Sequence, residues 1–388
     1  MSTQLKFPDG FLWGAALASY QVEGGIEHND WAQAARSGRV PACGRACDHF
    51  NRFEEDFDIA VNLGHNAHRL SLEWARIEPM EGVFDEEAIE HYRNVLRALK
   101  RRGIVPFVTI WHFTQPLWFS SRGSFLHKDA SRVFARYCRT VIEKLGDEAD
   151  YWQTINEPLV WASIGYVRGA WPPFKTNPIQ FLRLTGRLAH AHNEAYVEMK
   201  KVKSNIHIGI AKHNINFEGN GFFGSRLADA VRWFWNRRFL DKTVGHHDFI
   251  GLNHYRRRVF FRDEKDEEIS RNDMGWELHP KSIHACLLEL KRYGLPIYIT
   301  ENGLADADDS RRASFIAGYL REVRRAIEDG VDVRGYFHWS LLDNYEWAEG
   351  FTPRFGLVEI DYATLTRKIR PSARVYEAIC RTNALREE

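Results

Sequence analysis

Short apolar runs alternate with longer stretches whose apolar residues recur every three or four positions, from about residue 11 to about residue 380. The first pattern marks strands buried on both faces, and the second marks amphipathic helices. Residues 11–19 read as a strand. A helix over 48–63 follows, with Asp48 as its N-cap candidate and Gly64 as its stop. Residues 65–74 return as a strand, 85–99 form a helix capped by Asp85 and ended by Gly103, and 104–111 is a third, nearly all-apolar strand. The alternation then continues through helix 131–145, strand 151–157, helix 178–202, strand 206–215, helix 227–240 and strand 248–255. It closes with helix 282–293, strand 295–301, helix 313–327, strand 333–342 and helix 372–380, the last entered through Pro371. Eight β/α units without a Pro/Gly/Ser-rich linker predict an α/β fold, a single (β/α)8 TIM barrel spanning residues 1–388 as one catalytic domain. A doubly wound open sheet would need a Gly-rich phosphate turn after its first strand, and none is present.

Composition narrows the partners. Lys plus Arg number 53 against 52 Asp plus Glu, so no global field favours nucleic acid or an anionic membrane surface. No run approaches the ~18 apolar residues of a membrane span. Residues 1–10 lack the apolar core of a secretory signal, and five Cys in a chain of this size fit a reducing compartment, so a cytoplasmic location is expected. Cys43, Cys47 and His49 have no second ligand pair, and neither a metal nor another cofactor is expected. Thirteen Trp and 25 Phe exceed what a core alone requires, so part of them should line a cleft.

The candidate chemistry lies at strand ends, where barrel active sites are built. Two strands run from aromatic and β-branched residues into an acid, Tyr151 to Glu157 and Leu295 to Glu301. A lone strand-end Glu usually just faces water, but two of the same design suggest carboxyls facing one cavity. Other residues at such boundaries are Glu23, Arg69, Glu73, His112, Asn156, Asn253, His254, Tyr255 and Trp339. Acids, amides, an Arg and several Trp spread around a rim suit a sugar better than a metal, which would need its ligands clustered.

Four segments carry a family resemblance: Ala18-Ser19-Tyr20-Gln21-Val22-Glu23-Gly24, Thr154-Ile155-Asn156-Glu157-Pro158, Ile299-Thr300-Glu301-Asn302-Gly303 and residues 339–350 from Trp339 to Gly350. In that order, at strand ends, they resemble glycoside hydrolase family 1, the retaining β-glucosidase/β-galactosidase family, and the resemblance runs from Phe7 to Ala373. It implies that Glu157 is the general acid/base and Glu301 the nucleophile. Arg69 and Tyr255 would support Glu301 and keep it ionised, and Asn156 would bind the sugar 2-hydroxyl. Gln21, His112, Trp339, Glu346 and Trp347 would hold the remaining hydroxyls and the ring face. The implied partner is a small-molecule β-glycoside or oligosaccharide, unphosphorylated, because members acting on 6-phosphorylated glycosides lack the acid matching Glu346. Both β-glucosides and β-galactosides or β-fucosides fit this reading, and the resemblance says nothing of oligomeric state.

Departures from the family pattern also set expectations. Phe113 stands where Trp is frequent, His254 where Tyr is frequent, and the chain is short after Gly24 and between strands four and seven, which should open the leaving-group side. Arg256-Arg257-Arg258 is expected to be a solvated loop rather than an anion site, and His65 and His68 are expected to be strand residues rather than ligands. Two other functions fit the same fold. An open rim would allow transfer to acceptors other than water, and a barrel that had lost its chemistry would remain a sugar-binding module.

Overall fold

The alternating runs close into a barrel. The computed structural model describes residues 4–262 and 269–386. Its barrel strands and the helices that cover them are β1 (Leu12–Ala16), α1 (His49–Asn62), β2 (Ala67–Ser71), α2 (Glu86–Arg101), β3 (Val105–Trp111), α3 (Ala130–Leu145), β4 (Tyr151–Asn156) and α4 (Pro178–Val202). The second half adds β5 (His207–His213), α5 (Gly221–Arg232), β6 (Phe249–Asn253), α6 (Lys281–Leu290), β7 (Ile297–Asn302), α7 (Arg312–Glu328), β8 (Val333–Trp339) and α8 (Pro371–Thr382). Each strand pairs in parallel with the next, and β8 pairs with β1 to close the ring. Every residue of β2, β6 and β7 is buried, because helices cover the outer face and side chains fill the inner one.

The outer layer follows ordinary helix chemistry. In α2, Ile89, Tyr92, Val95, Leu96 and Leu99 form the buried stripe. The Asp85 carboxylate accepts from the backbone N–H groups of Glu87 (2.9 Å) and Ala88 (3.0 Å), satisfying two orphan donors at the helix start. Glu86 and Glu87 lie in the first turn and Lys100 and Arg101 in the last, each on the favourable end of the helix dipole. Asp48 does not act this way. It sits in the left-handed region at φ 56°, its side chain caps no N–H, and it accepts from Asn51 Nδ2 instead.

Inside, the barrel floor is aromatic. The Phe107 ring lies 5.1 Å from those of Tyr151, Phe249 and Phe337 and 5.3 Å from that of Tyr298. Above this plug the lining turns polar, and two glycines make room for it. A Cβ on Gly251 would stand 2.3 Å from Gln153 Nε2, and one on Gly303 would stand 1.8 Å from the Trp339 carbonyl oxygen.

Several expectations needed correction. The strands are shorter than their apolar runs, since residues 19–22 and 74–77 turn into short helices above β1 and β2. The helix expected over 227–240 begins earlier, as α5, and passes through a π-helical turn (Trp233–Arg237) into a last segment, Arg238–Thr243. Among the described residues, three two-stranded pairs lie outside the barrel: Gln4–Lys6 with Ala384–Arg386, Asn216–Gly219 with Arg257–Phe260, and Val358–Asp361 with Thr366–Ile369. Cys43 donates to the Tyr20 carbonyl, Cys47 to that of Asp343, and His49 pairs with Asp56 at 2.8 Å, so each serves local structure. Among the described residues, no helix is long and apolar enough to cross a membrane.

Candidate active site

Two irregularities in strand pairing aim the key side chains. In β7 the register shifts between Ile299 and Glu301 against β6, and between Ile299 and Asn302 against β8. Strict alternation would point Thr300 inward and Glu301 outward; the shift turns both inward. Thr300 Oγ1 donates to Asn253 Oδ1 at 2.7 Å, and Glu301 lines the cleft above the barrel mouth. A similar shift between Gln153 and Asn156 in β4 brings both of those amides inside. Glu157 follows in the left-handed region (φ 42°, ψ 59°), and Pro158 then opens a short helix, Pro158–Ser163, with the N–H it lacks costing nothing there.

Arg69, on β2 and fully buried, is the hub of the network. Its Nε donates to Gln153 Oε1 (2.7 Å) and Thr109 Oγ1 (3.1 Å), its Nη2 to Asn156 Oδ1 (2.7 Å), and its Nη1 pairs with Glu301. The other Glu301 oxygen accepts from the Tyr255 hydroxyl at 2.8 Å. A guanidinium fixed on several sides holds one carboxylate in one orientation, and charge-assisted hydrogen bonds are the strong kind. Burial, followed by the charge of Glu301, pushes the Tyr255 hydroxyl well up, so it remains a donor.

Glu157 is held on different terms. One oxygen accepts from Asn253 Nδ2 (2.9 Å), and that amide also reaches Asn156 Oδ1 at 3.2 Å. Burial first, and then the charge of Glu301, pushes the Glu157 carboxyl up to about 8, against the opposing pull of Asn253, Arg69 and Lys212. Glu157 therefore carries its proton at neutral pH. Behind it, Lys212 donates to the His213 carbonyl at 2.7 Å, and burial pushes its ammonium down to about 7.

The cleft holds about 510 Å³ and brings together all ten residues to which the family resemblance gave a role except Arg69, which lies just beneath it. Gln21 is fixed by its amide, which donates to Asn344 Oδ1 (2.9 Å) and the Tyr345 carbonyl (2.7 Å). His112 Nε2 accepts from Asn156 Nδ2 at 3.1 Å, and burial together with the charge of Arg69 keeps its ring neutral. The His112 ring stacks 6.1 Å from Trp339 and 6.0 Å from Trp347. Trp347 packs in turn on Trp31 (4.7 Å) and Trp171 (5.5 Å), closing the inner end. Burial and the charge of Glu301 push the Glu346 carboxyl up to about 8. Gln21 Oε1, His112 Nδ1 and Glu346 Oε2 all lie out of water with no protein partner among the described residues. Such groups cost free energy until something pairs with them.

Other expected residues lie elsewhere. Glu23 pairs with Arg76 (2.9 Å) and Tyr92 (2.8 Å), and Glu73 accepts from Thr114 (2.8 Å); neither lines the cleft. His254 faces away from the cleft, bonded to the Asn214 carbonyl (3.0 Å) and Ser282 Oγ (2.7 Å). Phe113 does line the cleft, against Trp347 and Trp171. The Arg triplet is solvated only at Arg258: Arg256 lies over the Trp276 ring at 4.3 Å in the cleft wall, and Arg257 bridges Glu218 and Glu277. Reading the sequence missed Gln153 and Thr109 as supports of Arg69, and the bond from Asn253 to Glu157. A polar residue inside an otherwise apolar buried strand was the available signal for Gln153 and Thr109.

Known proteins resemble this chain along nearly its whole length. The family model for Glycosyl hydrolase family 1 matches residues 3–219 and 236–385. Beta-glucosidase A of Thermotoga maritima is 31% identical over an alignment of 442 positions, covering 98% of this chain and 99% of the relative. A beta-galactosidase of Sulfolobus acidocaldarius is 30% identical, covering 99% of this chain and 97% of the relative. Among solved structures, a beta-glycosidase from Pyrococcus horikoshii superimposes with a TM-score of 0.93 at 38% identity, covering 99% of this chain and 97% of that one. The Thermotoga maritima beta-glucosidase in complex with glucoimidazole gives 0.91 at 32% identity, with 98% and 99% covered.

Proposed function

The chain belongs to glycosyl hydrolase family 1, and from that premise we propose that it is a retaining, exo-acting β-glycosidase, with residues 1–388 acting as one catalytic domain. Its substrates are unphosphorylated β-glucosides and, by the same pocket, β-galactosides or β-fucosides. The observation that carries this reading is the opposed setting of two strand-end carboxyls. Glu301 is gripped by Arg69 and Tyr255, while Glu157 is pushed up to about 8 and keeps a proton to give.

A terminal sugar enters the inner end, where Trp339 and Trp347 offer ring faces and Gln21, His112 and Glu346 offer unpaired polar atoms. A Glu301 oxygen attacks the anomeric carbon as the bond to the aglycone oxygen breaks, and Glu157 gives its proton to that oxygen. Glu157, now a carboxylate, takes a proton from water; the hydroxide attacks the anomeric carbon and Glu301 leaves. Two inversions give net retention. Asn156, anchored to Arg69 and His112, is placed to bond the 2-hydroxyl.

Proton NMR of the first-formed sugar from a nitrophenyl β-glucoside tests this. The β anomer should appear first, with the α anomer growing only by mutarotation. Early α anomer would mean a single inversion and would overturn the nucleophile assignment.

A further inference from the structure

Outside the inner pocket, the cleft wall follows a second design. Arg256, directly after Tyr255, and Arg168, at the end of the π-helical turn Ile164–Arg168 beyond Glu157, both line the cleft. They come from the loops after β6 and β4, on the side where Glu157 would meet the leaving group. Of the acids near these cations, Glu218 is taken by Arg257 (2.6 Å) and Glu277 by both Arg257 (2.8 Å) and Arg262 (2.6 Å), while Glu349 lines the cleft exposed and without an ion pair among the described residues. Neither guanidinium, that of Arg256 or that of Arg168, has an ion-pair or hydrogen-bond partner among the described residues. The Arg256 guanidinium lies 4.3 Å from the Trp276 ring centroid, which fixes its position and leaves its N–H edges unused. The same cleft is lined by the apolar side chains of Ile164, Val167, Ile215 and Trp235. Burial, and next the charge of Arg168, pushes Arg256 down to about 10 against an opposing pull from Glu157, so the two cations lining this cleft repel each other.

We propose that Arg256 and Arg168 form a subsite for a carboxylate on the leaving group, so that the preferred aglycone is an apolar or aromatic acid. An anion between the two guanidinium groups relieves their repulsion and meets a fork suited to two parallel hydrogen bonds. The apolar side chains of the same cleft take the body of the aglycone. This specificity rests on the β-glycosidase reading, but it concerns residues that reading does not use.

The test compares 3-carboxyphenyl β-glucoside with the matching 3-carbamoylphenyl β-glucoside, which is neutral and nearly the same shape. The wild type should prefer the acid in kcat/KM by about tenfold, and the preference should narrow as salt rises. In Arg256→Gln the acid-to-amide ratio should fall to near one; Arg168→Gln, changing a more exposed cation, should lower it less. Because the ratio is internal to each variant, a general loss of activity does not mimic the result. A wild-type ratio of one or below, or an unchanged ratio in Arg256→Gln, overturns the proposal. If neither glucoside is cleaved, the β-glycosidase reading fails first. Calorimetric titration of 3-hydroxybenzoate against 3-hydroxybenzamide then decides the subsite: tighter binding of the acid, lost in Arg256→Gln, supports it, and equal binding refutes it.

Discussion

The floor and the mouth of the barrel are lined by the same strands on opposite terms. At the floor, Phe107, Tyr151, Phe249, Tyr298 and Phe337 pack ring against ring. At the mouth, Arg69, Gln153, Asn156, Asn253 and Glu301 form a chain of polar bonds, and Gln21, His112 and Glu346 keep unpaired atoms under cover. Aromatic packing stabilises without needing a ligand, whereas unpaired buried polar atoms destabilise until one binds. The contrast places stability below and function above, and each end can be perturbed without the other.

The largest effect belongs to the mouth. Glu301→Ala should lower turnover of nitrophenyl β-glucoside at least ~10^4-fold, since on the proposed covalent mechanism it removes the attacking group. Glu157→Ala should lose less on this substrate, whose leaving group needs little protonation, and should regain rate with added azide. Near-native turnover by Glu301→Ala would break the assignment.

Next comes the floor. Phe107→Ala should destabilise by about 3–5 kcal/mol, because its ring has four aromatic neighbours that cannot collapse into the space. Measured on folded protein below the transition, kcat/KM should change less than about threefold, a small fraction of the stability cost in free-energy terms. A loss of activity parallel to the loss of stability would show that floor and mouth are one mechanical unit.

How far the sequence announced these two ends depends on the range of the interactions. The helix at Pro178–Val202 and the Asp85 cap were legible because periodicity and capping are local. Both strand-end acids were legible because a charge closing an apolar run is conspicuous. The register shifts in β4 and β7 were not, since a bulge depends on how neighbouring strands pair. For the same reason Asn253 was noted at its strand end, but its bond to Glu157 was not foreseen, and Arg256 was read as solvated although Trp276, twenty positions away, pulls it into the wall. The small strand pairs escaped notice because strands of three or four residues with charged positions carry little pattern.

A smaller effect sharpens the electrostatic side of the mouth. Glu157 must be protonated to act as the acid, and its carboxyl stands at about 8, so kcat/KM should fall as pH rises through that value. The Asn253 amide favours the charged form and holds the value down. Asn253→Ala should therefore move the alkaline limb of kcat/KM to higher pH, together with a loss in rate from poorer orientation. A limb that moved to lower pH would contradict the sign.

The smallest predicted effect is a refusal at the inner end. The sequence suggested that Glu346 repels a 6-phosphate by charge, and at ~4 Å with an effective dielectric of ~20 one unit pair is worth about 4 kcal/mol. The structure tempers this, because burial and Glu301 push the Glu346 carboxyl up to about 8, so at pH 7 most molecules present it neutral. A 6-phosphate, with about −1.5 to −2 charges, still gives up hydration beside Glu301. The cation nearest to Glu301, Arg69, is already committed to it. Unphosphorylated nitrophenyl β-glucoside should therefore beat its 6-phosphate by about tenfold in kcat/KM at pH 7. The sign with pH follows from the raised value: Glu346 gains its charge only as pH rises through about 8, so the ratio should widen between pH 6.5 and 9. Loss of Glu157 activity over that range affects both substrates and cancels in the ratio. Glu346→Ser should flatten the pH dependence and narrow the gap. A wild-type preference for the 6-phosphate would instead place the cations of the outer wall, Arg256 foremost, in control of the inner pocket as well.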